Sequence, residues 1–130
     1  GHIPTNVIDY DNSNSIFHSK NEPNSWISFD FKEHRVIPTD YMIKSSPFGT
    51  NHQNPRNWVI ECSNDDENWE IIDEKINCPD LNSANTIRKF HINQNNQKEF
   101  KIIRMRSTGQ DWKGKNYVNF AKFELFGTLI

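Results

Sequence analysis

Asn57-Trp58-Val59-Ile60-Glu61-Cys62-Ser63-Asn64-Asp65-Asp66-Glu67-Asn68-Trp69 decides the fold. Trp58, Ile60 and Cys62 fall two apart, so in an extended chain they share one face, the period-2 mark of a half-buried strand. Asn64-Asp65-Asp66 then breaks the pattern with residues that bond their own backbone and tolerate left-handed geometry. Trp69-Glu70-Ile71-Ile72 resumes it, so the segment reads as strand, tight turn, strand.

Outward from that hairpin the same grammar repeats. Trp26 to Phe31 alternates, with Ile27, Phe29 and Phe31 on one face. Val36 to Ser45, Thr86 to Ile92, Phe100 to Ser107 and Tyr117 to Phe126 supply further strands, the last divisible into two. Phe123, Leu125 and Phe126 mark a terminal strand that belongs to the core. The stretches Asn12 to Pro23, Pro47 to Asn57 and Asn93 to Lys98 are polar connections, the last a hairpin loop. A short helical turn fits Pro79 to Asn85. Short strands separated by turns, with no long helical stripe and no repeat, predict an all-β sandwich or barrel.

Composition narrows the function classes. The 130 residues are 34% hydrophobic, 12% aromatic and 25% charged, with a net charge of -2. Eighteen asparagines are the outlier. Nine Phe, four Trp and three Tyr can fill a core despite the low apolar share. No apolar run reaches the roughly 18 residues of a membrane span, and a near-neutral domain offers no nucleic-acid footprint. No nucleic-acid or membrane partner is expected. Gly1-His2, in place of a starting Met, reads as the scar of a cleaved tag, and residues 3–130 as a single domain excised from a longer protein.

Four segments in order resemble one family. They are Trp26-Ile27-Ser28-Phe29-Asp30-Phe31, the Trp58 to Trp69 hairpin, Phe100-Lys101-Ile102-Ile103-Arg104-Met105-Arg106, and Phe120-Ala121-Lys122-Phe123-Glu124-Leu125-Phe126-Gly127. Together they resemble the discoidin family, also called coagulation factor five/eight type C, within the galactose-binding-like superfamily. The resemblance spans about Asn6 to Leu129 and implies a jelly-roll β-sandwich of about eight antiparallel strands. Asp66 departs from it, standing where the family turn generally has Gly; aspartate can adopt that geometry at modest cost. Cys62 reads as an inward free thiol and Cys78 as exposed, with a disulfide between them as the alternative. Few cysteines and no Asn-x-Ser/Thr acceptor lean to an intracellular, cytoplasmic protein. The nearest likeness is to intracellular members that accompany BTB, kelch or ubiquitin-ligase modules.

Three candidate sites follow. No catalytic constellation is visible: the acidic run Glu61, Asp65, Asp66, Glu67, Glu70, Asp73 and Glu74 reads as a solvated face, His18, His34, His52 and His91 are scattered, and no phosphate loop or nucleophile elbow occurs. The protein is not expected to be an enzyme. A structural calcium is the one cofactor implied by the resemblance, held by Asp9, Asp11, Asn12, Ser15 and Glu124, since calcium takes six to eight oxygen ligands; a metal-free turn network is the alternative. For ligand binding the resemblance points to loops at one end of the sandwich. Trp112 is the best aromatic platform and Phe48 a second, with His52, Arg56, Gln110, Asp111, Lys113 and Asn116 as polar neighbours; Trp112 alternatively packs as a lid over the core. Arg104 and Arg106 share a strand face, either as a positive stripe for an acidic ligand or paired with the domain's own acidic segment. The leading expectation is a non-catalytic module recognising a protein partner. Carbohydrate binding is the first alternative and a purely structural domain the second.

Overall fold

The computed structural model describes residues 5–11, 17–18, 21–93 and 97–130. Its strands are β1 (Thr5–Asp11), β2 (Phe17–His18), β3 (Trp26–Asp30), β4 (Val36–Lys44), β5 (Trp58–Ser63), β6 (Glu70–Lys75), β7 (Ile87–His91), β8 (Ile102–Ser107), β9 (Asn119–Phe120) and β10 (Lys122–Leu129). One antiparallel sheet runs β1-β10-β4-β7 and a second β3-β8-β5-β6, with β2 and β9 forming a two-stranded annex. This is the expected all-β sandwich, consistent with a jelly roll. No helix among the described residues is long and apolar enough to cross a membrane.

The core lies between the two four-stranded sheets and is built on aromatic rings. Trp58, Tyr41, Phe120 and Phe123 are fully buried, and burying each such side chain stabilises by roughly 1.5–3 kcal/mol. Phe29 stacks on Phe123 at 5.5 Å and Trp58 meets Phe90 edge-on at 5.6 Å, which ties the sheets together, while Tyr41 stacks on Phe90 at 5.0 Å within one sheet. Trp58 Nε1 donates to the Tyr41 hydroxyl at 3.0 Å, and that hydroxyl donates to Asp73 at 2.5 Å. Burial, with the Asp73 carboxylate beside it, pushes the Tyr41 hydroxyl far above the ordinary tyrosine range.

Several local expectations are refined. Asp66 takes the left-handed conformation, φ 62°, in the turn. Asp65 braces that turn by accepting the backbone N–H groups of Glu67 and Asn68 at 2.9 and 2.8 Å. The turn near Pro79 is a 3-10 helix over Pro79–Leu81, shorter than expected, and the final segment divides into β9 and β10. Cys78 is buried rather than exposed, because its backbone N–H is tied to the Arg56 carbonyl at 2.8 Å. Both cysteines are free thiols, so no Cys62–Cys78 disulfide forms. Burial raises the Cys62 thiol, which keeps it protonated and inert.

Glu61 departs most from the sequence expectation. It belongs to the acidic run read as solvated, yet it is 3% exposed. Arg104 Nε and Arg106 Nε each donate to its Oε1 at 2.7 Å. Burial alone would raise this carboxyl; the bonds from Arg106 and Arg104 outweigh it and hold the carboxyl below its usual range. The two arginines are therefore paired internally, one of the two arrangements their spacing allowed.

Candidate functional site

The loop after β4, the loop before β7 and the loop after β8 gather at one end of the sandwich. Asn85 N–H donates to the Ser46 carbonyl at 2.9 Å and Thr108 N–H to the Asn57 carbonyl at 3.2 Å. Polar loops have no core of their own to stiffen them, so hydrogen bonds must set their shape.

Asparagine side chains supply many of those bonds. Asn54 is fully buried; its Oδ1 accepts from Ser46 N–H at 3.0 Å and Ser46 Oγ at 2.7 Å. Asn57 Oδ1 accepts from Asn77 N–H at 2.7 Å, and its amide donates to the Gln110 carbonyl at 2.9 Å. Asn51 N–H donates to Asn82 Oδ1 at 2.7 Å, and Asn119 Nδ2 donates to the Gln53 carbonyl at 2.6 Å. Asn51, Asn77 and Asn85 also occupy left-handed backbone positions, which asparagine tolerates better than most residues.

The predicted ligand residues divide on this scaffold. Phe48 is 48% exposed, with its ring centroid 5.6 Å from that of His52, also exposed. Arg56 lies over the Trp112 ring, its Cζ 4.6 Å from the centroid, and its Nε donates to Asn77 Oδ1 at 2.6 Å. Trp112 itself is half-buried, and its Nε1 is buried without a hydrogen-bond partner among the described residues. It is thus partly packed into the loop end and covered by Arg56 rather than standing free. The Gln110 and Lys113 side chains are exposed on this end. Asn116 is half-buried, with its backbone tied to Asn21 and Ser25 at 2.8 Å each.

Asp111 does something else. It is 2% exposed, and its Oδ1 accepts the backbone N–H groups of Lys113 and Lys115 at 2.9 Å each. It therefore folds its own loop and does not face outward. Burial raises its carboxyl against the opposing pull of those N–H groups, and Oδ2 has no hydrogen-bond partner among the described residues. A water-sized space of about 10 Å³ lies beneath, lined by Arg56, Asn57, Ser107, Gly109, Asp111 and Tyr117.

At the predicted calcium position Asp9 and Glu124 come together as register partners on β1 and β10. The Lys122 ammonium sits with them, 2.9 Å from Glu124 Oε1 and 3.4 Å from Asp9 Oδ1. A lysine so placed balances the charge of these two carboxylates. Asp11 pairs in register with Lys122, while Asn12 and Ser15 lie outside the described residues. Among the described residues no three His, Cys, Asp or Glu side chains are grouped to hold a metal ion.

Sequence reasoning named the aromatic and charged rim residues, and placed Asn54 among the polar rim where the structure buries it, but passed over Asn57, Asn77 and Asn119. Their signal was the asparagine excess in loops, which singles out no individual position.

The family model for the F5/8 type C domain matches residues 1–122. Among curated proteins, the E3 ubiquitin-protein ligase hecd-1 of Caenorhabditis elegans is 22% identical over 128 residues, covering 98% of this chain. The chain spans only 5% of that protein's length. Among solved structures, CpGH89CBM32-5 from Clostridium perfringens, in complex with GalNAc-beta-1,3-galactose, superposes with a TM-score of 0.63 at 15% identity, covering 87% of this chain and 76% of that one. The fucolectin from striped bass (Morone saxatilis) serum gives a TM-score of 0.61 at 15% identity, covering 88% and 36%. The fold they share with this chain is an antiparallel β-sandwich. The expected cytoplasmic placement is corrected: the solved neighbours are carbohydrate-binding modules and a serum lectin. Both thiols are buried, so their unpaired state follows from packing and does not report a reducing compartment.

Proposed function

The chain belongs to the F5/8 type C domain family, and from that membership and the geometry of the loop end we propose that it binds carbohydrate non-covalently. The observation that carries the reading is an exposed ring, Phe48, beside His52 on loops already held by buried asparagine bonds. Saccharides are recognised by stacking an apolar ring face on an aromatic side chain while polar groups bond the hydroxyls. Phe48 offers the stacking face. His52, Arg56 and Gln110 offer donors and acceptors. Preorganised loops lower the ordering cost of binding.

The solved neighbours favour this reading over the protein-partner expectation. One was solved with GalNAc-beta-1,3-galactose and another is a fucolectin. Galactosides and fucosides are thus the first ligands to try. A glycan array followed by calorimetry tests the proposal. We expect neutral galactose- or fucose-containing glycans to bind and Phe48→Ala to weaken them at least tenfold with no change in Tm. An array with no glycan bound, or full affinity in the Phe48 variant, refutes the assignment.

A further inference from the structure

The outer face of the β3-β8-β5-β6 sheet holds a second arrangement, separate from the loop end. Trp26 and Ser28 on β3 pair in register with Arg106 and Arg104 on β8, and Arg104 pairs with Glu61 on β5. Glu61, with its two bound arginines, forms a triad with one net positive charge.

The two arginines are used differently. Arg106 is consumed by the protein: its Nε and Nη2 donate to Glu61, and its Nη1 donates to Asn24 Oδ1 at 2.8 Å. Arg104 is anchored through Nε alone. Its Cζ lies 3.6 Å from the ring centroid of Trp69 and 5.2 Å from that of Trp26. Among the described residues its Nη groups have no hydrogen-bond acceptor. A guanidinium lying against the Trp69 ring, near Trp26 and tied at one nitrogen, keeps its remaining planar donors close to one position.

Trp26 completes the arrangement, because 54% of it remains exposed. A stack serving only stability gains most when both indoles are covered; here one is open to solvent beside unmatched donors. We propose that this sheet face is a second saccharide site, selective for sugars bearing a carboxylate or sulfate. The sugar ring would stack on Trp26, and its acidic group would accept from Arg104 in the two-pronged geometry that planar guanidinium suits. A neutral sugar would leave those donors unmatched. An acidic peptide would match the charge but bring no rigid ring for Trp26. The inference does not rest on the loop end.

Calorimetry with a galacturonate trisaccharide, a neutral galactose trisaccharide and a polyglutamate peptide tests it, using wild type, Trp26→Ala, Arg104→Lys and Phe48→Ala. The galacturonate is expected to bind wild type at least tenfold more tightly than polyglutamate. Trp26→Ala and Arg104→Lys should each weaken it about tenfold or more, while Phe48→Ala leaves it unchanged. Arg104→Lys keeps the charge but removes the planar fork, so it reports even where Trp26→Ala loosens the sheet. The proposal is overturned if the galacturonate does not bind, if polyglutamate binds better, or if Phe48→Ala and not Trp26→Ala removes binding. Failure of the loop-end reading shows separately, as no binding of neutral glycans.

Discussion

Replacing Glu61 by Ala is the sharpest perturbation of this fold. The carboxylate is 3% exposed and accepts three hydrogen bonds from arginines, at 2.7, 2.7 and 3.3 Å. Removing one partner of a buried ion pair costs about 3–5 kcal/mol, because the remaining charge loses its counterpart. Here the arginine side chains keep 17% and 23% exposure, so both guanidiniums can lean toward water. That lowers the expected loss to about 2–3 kcal/mol. For a domain of this size each kcal/mol moves Tm by about 3–5 °C, so the variant should melt about 10 °C lower. Urea unfolding followed by circular dichroism gives the free energy directly. Glu61→Gln, which keeps an acceptor but no charge, should lose about half as much. A loss below about 0.5 kcal/mol, with an unchanged urea slope, would refute the claim that this carboxylate organises the sheet face. Acid supplies a second check. The folded carboxyl titrates below its unfolded value of about 4.3, so its stabilisation is complete above that pH and is lost as pH falls through the folded value. Glu61→Gln should flatten that part of the acid-unfolding curve.

Asp66→Gly should stabilise the domain by up to about 1 kcal/mol in urea titration, since φ 62° costs an aspartate strain that glycine escapes. Asp111→Asn keeps an acceptor for the Lys113 and Lys115 N–H groups while removing a buried charge. Because the folded Asp111 carboxyl is raised, wild type gains stability as pH falls through that folded value, and the variant should lack this gain in Tm measured against pH. With Lys122 bridging Asp9 and Glu124, chelation by EDTA should leave Tm unchanged, whereas Lys122→Met should lower it measurably by leaving two adjacent carboxylates unbalanced.

The β architecture was legible because period-2 alternation survives in a single sequence. Trp58, Ile60 and Cys62 do face the core, as do Tyr41, Ile43, Phe123 and Leu125. The Asp66 conformation was legible too, since Asn64-Asp65-Asp66 has few other uses. Burial of individual charges was not. Glu61 and Glu70 look alike in sequence, yet only Glu61 lies opposite Arg104 across the ladder, a fact of register. Asp111 misled for a related reason. Polar residues in a loop suggest a ligand surface, but this one faces inward to satisfy its own loop's amides. Lys122 shows the same limit: its place between two acids follows from the pairing of β1 with β10.

The loop end is held largely by neutral amide side chains, and this separates it chemically from the sheet face. Asparagine neither titrates nor attracts counterions. The bonds from Asn54, Asn57, Asn82 and Asn119 therefore keep their strength across ionic strengths that screen exposed charges within about a Debye length. Added salt should weaken a charge-dependent ligand on the sheet while leaving the loop end in shape. Within one small domain, brine and fresh water would then select different surfaces.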